Sequence, residues 1–356
     1  MQSMKAPTVT FVPSLETTLR ENRLKRLLLP GKITDADLAR RADRLDLLFR
    51  SSLRTSPLHL WGAGLHIDRE WRNLTDTFLP WSRIAPALRR LICCSTRYLP
   101  PSDPLASIPS WPDFLRRIST MTQTSNPAVI LRSLSSDENL RRRWLFTLFL
   151  PKEHGGGFDR YPRQQEFIRN WLFQRRHLSG GKISCLDAAC GSGEGSWELA
   201  ELCRTSGIPP RGMTIHGTSL DPLELYAAAH ASFPHDHPRE QEYLRRIARL
   251  TSTGYQERIR FSHEDLTNTG NESEKYDLIL CNGFLGGPLL NDRSKMQPLV
   301  AGLVGRLNPG GLIMAADRFH EGWRKRIPKE ERETLLEQCG VTIIRVEEGI
   351  AGIYQT

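Results

Sequence analysis

Two spacings of apolar residues divide the chain. Up to about residue 150 they recur every three or four positions, as on one face of a helix. Ser14 is placed to cap a segment with Leu15, Leu19, Leu24, Leu27 and Leu28, which stops at Pro30-Gly31. Thr34 caps the next, with Asp35 and Asp37 at the positive end of the helix dipole and Leu38, Leu45, Leu48 and Phe49 at helical spacing. Prolines between Pro57 and Pro112 predict only short helices there. Trp61, Trp71, Trp81 and Trp111 punctuate that region and read as interhelix packing rather than a ligand pocket. Asp137 opens a last helix through "NLRRRWLFTLFL".

The pattern then changes. "PKEHGGGFDRYP" (151–162) has three consecutive glycines, suited to a hinge or to a segment lying close to a ligand. A helix follows with Phe167, Ile168, Trp171 and Leu172 on one face. From 183 onward short apolar runs alternate with helical stretches. The runs are 183–189, 213–220, 258–262, 276–282, 311–316 and 341–347, and a short strand, "GIYQT", ends the chain. Such alternation predicts a parallel sheet with helices on both faces. The closing helix, strand, short link and strand predict an antiparallel hairpin at one edge. The expected fold is α/β, a Rossmann-like seven-stranded sheet behind a mostly helical N-terminal domain. Its parts are 1–150, a linker and capping helix at 151–180, and the sheet domain at 181–356.

Composition narrows the function class. At 356 residues, 39% hydrophobic and 25% charged, the chain is long enough for two domains and has the make-up of a globular protein. Its longest apolar run, 144–150, is far short of the ~20 residues of a membrane span. No secretory pattern opens the sequence, and seven cysteines without CxxC spacing read as reduced thiols, so a cytoplasmic protein is expected. Residues 1–150 carry 23 Lys/Arg against 13 Asp/Glu, while 151–356 carry 26 against 27. The basic excess suits either a polyanionic partner or a solvated Arg-rich surface, and the scattering of the arginines favours the surface. His235 and His237 in "FPHDHP" have no third ligand at a clear spacing, so they read as loop residues and no metal is expected.

The chemistry concentrates in "ISCLDAACGSGEGSWELAEL" (183–202), an apolar run, an acid, a glycine turn and a helix. Such a turn holds an adenosine-bearing ligand, either a dinucleotide or S-adenosylmethionine (SAM). A dinucleotide turn spaced from Gly191 and Gly193 needs a third glycine at 196, where the chain has Ser196. Asp187 ahead of the turn suits the cationic sulfonium and ammonium of SAM and repels a pyrophosphate. Unit charges a few ångströms apart interact by about 4 kcal/mol at an effective dielectric near 20. Asp221 after the second strand is placed for the ribose hydroxyls, and Asp265 with Leu266 after the third for adenine. Cys281, Asn282 and Phe284 follow the fourth, at the substrate end.

Over roughly residues 160–356 the sequence resembles class I SAM-dependent methyltransferases, and within them the CheR-type chemotaxis-receptor glutamate methyltransferases. "GFDRYPRQQEF" is similar to the phenylalanine–arginine motif of that type, and "AACGSGEG" to its small-residue turn followed by Gly-Glu. The resemblance implies that Glu194 contacts SAM and that Arg160 reaches SAM and the reacting carboxylate. It also implies Asp221 as the ribose acid and Asp265–Leu266 as the adenine pair. The chain departs from the type in having Gly195, Ser196 and Trp197 after Gly-Glu, and no tyrosine after Asn282.

The expected cofactor is therefore SAM, with S-adenosylhomocysteine (SAH) as product, bound by Asp187, Gly191, Gly193, Glu194, Asp221, Asp265, Leu266, Cys281 and Asn282. Arg160 and Asn282 are the candidate catalytic residues. The acceptor is expected to be a carboxylate or other oxygen of a protein or small molecule. Two alternatives stand beside it: a nucleic-acid methyltransferase docking through the basic domain, and a non-catalytic SAM-binding scaffold. The strand tip "NGFLGGP" lacks the N/D-P-P-F/Y pattern used by many amino-directed nucleic-acid methylases. His154 reads as a loop histidine and Cys190 as a small residue packed in the turn.

Overall fold

The structure is a computed structural model that describes residues 9–56, 66–150, 157–178, 181–268, 274–287, 290, 292–316 and 327–355. Trp61 and His154 lie outside the described residues. The chain forms two compact units. One takes residues 17–150 with Phe233–His237, and the other residues 9–16, 157–232 and 238–355.

The first unit is helical: α1 (Thr17–Leu27), α2 (Ala36–Thr55), α3 (Arg69–Phe78), α4 (Trp81–Ser95), α5 (Trp111–Arg117), α6 (Pro127–Ser136) and α7 (Glu138–Phe149). Asp137 caps α7, its side chain accepting from the Leu140 amide. The second helix is capped by Asp35 and not by Thr34, because it starts one residue later and the carboxylate accepts the Leu38 amide at 2.8 Å. Ser14 does not cap α1. Its amide and carbonyl bind Ala229 and His230 in the other part of the sequence, which places it with the sheet unit. At 15 residues α4 is longer than the prolines suggested, and it carries Pro86 inside it. Trp111 stacks on Trp81 and on Phe114, with ring centroids 6.5 and 5.3 Å away, and Trp81 and Phe114 are 5.6 Å from each other, so the three rings form one cluster.

The second unit contains β1 (Thr10–Phe11), α8 (Pro162–Leu178), β2 (Ile183–Asp187), α9 (Glu194–Thr205), β3 (Met213–Ser219) and α10 (Pro222–His230). It continues with α11 (His237–Ser252), β4 (Ile259–His263), β5 (Tyr276–Leu280), α12 (Arg293–Gly305), β6 (Leu307–Ala315), α13 (Lys329–Gln338), β7 (Val341–Ile344) and β8 (Ile350–Tyr354). The sheet order is β1-β4-β3-β2-β5-β6-β8-β7. The strands β4, β3, β2, β5 and β6 are parallel, while β8 is antiparallel to both β6 and β7. This is a doubly wound sheet closed by the expected hairpin.

The seven expected strands gain an eighth. Thr10–Phe11 pairs antiparallel with β4, and Phe11 is buried edge-on against Tyr226 and His230. "TVTFV" carried the β-branched signal of a strand before its proline. The inner strands read as near-continuous apolar runs because helices cover both faces. Leu186, Ile279 and Ile313 pack with Met296, Leu299 and Leu335 in one such layer.

Candidate functional site

The direction of chain progression reverses on either side of β2, which lies between β3 and β5. A crevice opens beyond the carboxyl ends of strands at such a point. The turn after β2 is pinned to both neighbours: the Ala188 amide donates to the Leu280 carbonyl and the Cys190 amide to that of Thr218. Ala189 (φ 59°), Gly191 (φ 54°) and Gly193 (φ 86°) take left-handed backbone to make the turn.

The two expected cofactor glycines do different things. A Cβ on Gly191 would meet nothing within 4 Å, so the backbone there is open to a ligand. A Cβ on Gly193 would stand 2.5 Å from Ala228 Cβ and 3.0 Å from Phe261, so that glycine serves the packing of the turn against α10 and β4. Gly195, at the start of α9, lets the Asp187 carboxylate lie beneath the helix, 3.0 Å from where its Cβ would be.

Asp187 is buried at 4% exposure. It accepts the Ser196 hydroxyl at 2.7 Å and the Ser196 amide, so its carboxylate is held under the turn rather than laid open beside it. Burial pushes its pKa up to about 7, against the pull of those hydrogen bonds.

Glu194 is also buried. It pairs with Arg239 of α11 at 2.6 Å and accepts the Ser192 hydroxyl at 2.8 Å. Arg239 bonds Ser192 as well, and the Tyr243 hydroxyl donates to the Ser192 carbonyl at 2.8 Å. These contacts fix the turn, and none of Ser192, Arg239 or Tyr243 was anticipated. Arg239 opens an amphipathic helix 45 residues from its partner, and nothing local marks the pairing.

Asp221 is the N-cap of α10, accepting the Leu223 amide at 2.8 Å. Glu224, also unanticipated, accepts the Ser219 hydroxyl at 2.6 Å, and burial followed by Asp221 pushes its pKa up to about 7. Asp187 lies beneath the turn, Glu194 bonds Ser192 within it, and Asp221 and Glu224 stand at the end of the neighbouring β3, so four carboxylates gather at these two strand ends. Burial pushes the Cys190 thiol well up.

Asp265 lies exposed after β4 in a tight turn, accepting from the amide and hydroxyl of Thr267, while Leu266 packs against the core layer. The Cys281 side chain is buried in that layer, and its amide donates to the Met314 carbonyl at 2.8 Å. Asn282 trades amide hydrogen bonds with Gln164 of α8 at 3.0 and 2.7 Å and accepts the Ala316 amide at 2.8 Å. It clips α8 to β5 and β6.

The segment before α8 is tied to α9 and α11. Phe158 stands edge-on to Tyr243 at 5.2 Å, Asp159 donates its amide to Glu198 and pairs with Arg246, and Arg160 lies over the Tyr161 ring. His235 in the helical unit meets the Leu150 carbonyl at 3.0 Å. Among the described residues no group of His, Cys, Asp or Glu is arranged to hold a metal, and no helix is long and apolar enough to cross a membrane.

No family model matches the chain, and no curated protein does. Solved structures are similar in fold. They include StiE O-MT residues 961–1257, 20% identical over 51% of this chain and 53% of that one, with a TM-score of 0.33. The [4+2]-cyclase SpnF is 17% identical over 50% and 57%, with a TM-score of 0.33. The N-methyltransferase NodS from Bradyrhizobium japonicum WM9, in complex with S-adenosyl-L-homocysteine, is 16% identical over 62% and 100%, with a TM-score of 0.35. The chain spans little more than half the length of the first two.

Proposed function

We propose that the chain is a class I SAM-dependent methyltransferase whose adenosyl ligand lies in the crevice after β2, β3 and β4. The observation that carries this reading is the set of carboxylates Asp187, Glu194, Asp221 and Glu224 around a glycine turn that is open at Gly191. A sulfonium and an ammonium placed there favour the ionised forms of Asp187 and Glu224, which burial alone disfavours, whereas the pyrophosphate of a dinucleotide is repelled by them. The open backbone at Gly191 fits the methionine end of SAM, and the turn at Asp265 with Leu266 fits adenine.

Bound SAM supplies a methyl group already activated on sulfur. The protein's share is then alignment of the acceptor and exclusion of water. The Arg239–Glu194 pair and Tyr243 hold the turn in one shape, and the Asn282–Gln164 clip holds the end of β5 beside it. Arg160, in the segment tied to Tyr243 and Glu198, would orient an acceptor carboxylate. With the CheR-type likeness of "GFDRYPRQQEF", it supports a carboxylate or other oxygen as acceptor. A nucleic-acid acceptor is less supported. Arg41, Arg72, Arg90, Arg132 and Arg142 in the basic unit are each paired with a carboxylate, and Arg141 is buried.

Calorimetry with SAM and with NAD tests the cofactor: SAM is expected to bind and NAD not, and the reverse sinks the proposal. Methyl-labelled SAM incubated with cell extract separates an enzyme from a scaffold. Label that base releases indicates a methyl ester, while base-stable label in nucleic acid overturns the carboxylate acceptor.

A further inference from the structure

We propose that Glu224, one turn into α10, is the carboxylate that takes the ribose hydroxyls, and that Asp221 at the strand end is not. The inference rests on the SAM reading. The strand itself ends in Ser219, which has a single proton to donate and gives it to Glu224 Oε2. The Ser219 oxygen in turn accepts the Asp221 amide at 3.1 Å. Asp221 is 8% exposed and its Oδ1 accepts the Leu223 amide, the bond that starts the helix.

Glu224 occupies the third helical position. There a glutamate ordinarily reaches back to the amide of its own N-cap. That amide is already taken by Ser219, so Glu224 is released from capping and turned toward the end of β3. Its other oxygen, Oε1, accepts no hydrogen bond from any described residue, and the side chain is only partly buried. The bond to Ser219, the last residue of β3, holds its carboxyl at the carboxyl end of that strand, next to the turn that follows β2. A vicinal diol presents two O–H donors side by side. Oε1 accepts one, and Oε2 keeps a lone pair for the second after Ser219.

The test is calorimetric titration of SAH, and of SAH lacking both ribose hydroxyls, into the full-length protein. The wild type is expected to bind SAH and to lose at least about tenfold with the dideoxy compound, the size of one charge-assisted hydrogen bond. Glu224→Gln is expected to lose a similar factor for SAH and to bind the dideoxy compound as the wild type does. Asp221→Asn, which keeps a capping oxygen, is expected to bind SAH within about threefold of wild type. Three results overturn the assignment: Glu224→Gln binding SAH normally, Asp221→Asn taking the loss, or Glu224→Gln losing both ligands equally, as a purely structural role requires. The wild-type comparison needs no variant to fold, and equal affinity for the two ligands also overturns the assignment. If the wild type binds neither SAM nor SAH, the reading beneath it has failed instead.

Discussion

A carboxyl group as deeply buried as Asp187 is easier to keep neutral than charged. Its pKa of about 7 means that between about pH 4 and 7 the folded state holds a proton the unfolded chain has released. Stability therefore falls as pH rises across that window and levels off above it. Glu198 and Glu224, also pushed up to about 7 chiefly by burial, act in the same direction. Asp187→Asn keeps an acceptor for Ser196 and carries no charge. Urea midpoints followed from pH 4.5 to 8 are expected to decline less steeply in the variant; an unchanged slope would show that Asp187 ionises freely. The glycines separate in the same way. Gly193→Ala meets both a left-handed backbone and Ala228, and is expected to cost several kcal/mol, on the scale of an overpacked core. Gly191→Ala has room for the methyl group and bears only the backbone strain, about 1 kcal/mol, but narrows the open side of the turn. Thermal melts check the first effect and SAM titration the second.

The elements are held by caps and straps that their own sequences only partly announce. Asp35 caps α2 and also pairs with Arg90 of α4 at 2.6 Å. The Arg90 guanidinium and the Leu38 amide bring its pKa down to about 2. That contribution is complete above the ordinary carboxylate range and is lost as pH falls through the folded value. Asp35→Ala is expected to cost about 1 to 2 kcal/mol by chemical denaturation at neutral pH. Arg141, in the arginine run "NLRRRW", is buried. Its guanidinium donates to the carbonyls of Leu134, Ser135, Leu29 and Gly31, tying α7 to the ends of α1 and α6. Glu348, in the link between β7 and β8, accepts the Arg163 and Gln164 amides at the start of α8, 185 and 184 residues away.

At the scale of the whole molecule, the sheet unit draws its edge strand from the far N-terminus. Deleting residues 1–16 removes Thr10–Phe11 from β4 and uncovers a row of backbone donors and acceptors. Light scattering is expected to show concentration-dependent association, with a lower melting temperature; a deletion that stays monomeric and equally stable would make β1 an ornament of the edge. Two short pieces of the chain join the unit that is not their sequence neighbour. Residues 9–16 belong with the sheet and Phe233–His237 with the helices.

The alternation of strands and helices, the closing hairpin and the glycine turn were legible because hydrophobic period and left-handed backbone are local properties, written within a few residues. So was the acid bias after β2 and β3, since residue type and strand end stand together in the chain. Which acid faces the crevice was not. Asp187 lies under the helix because Ser196 and Gly195 make room for it, Glu194 is spent on Arg239, and Asp221 is spent on its helix while Glu224 is turned toward the end of β3. Those outcomes depend on partners brought together by packing, and only the tertiary structure brings residues 45 or 185 positions apart within reach of one hydrogen bond.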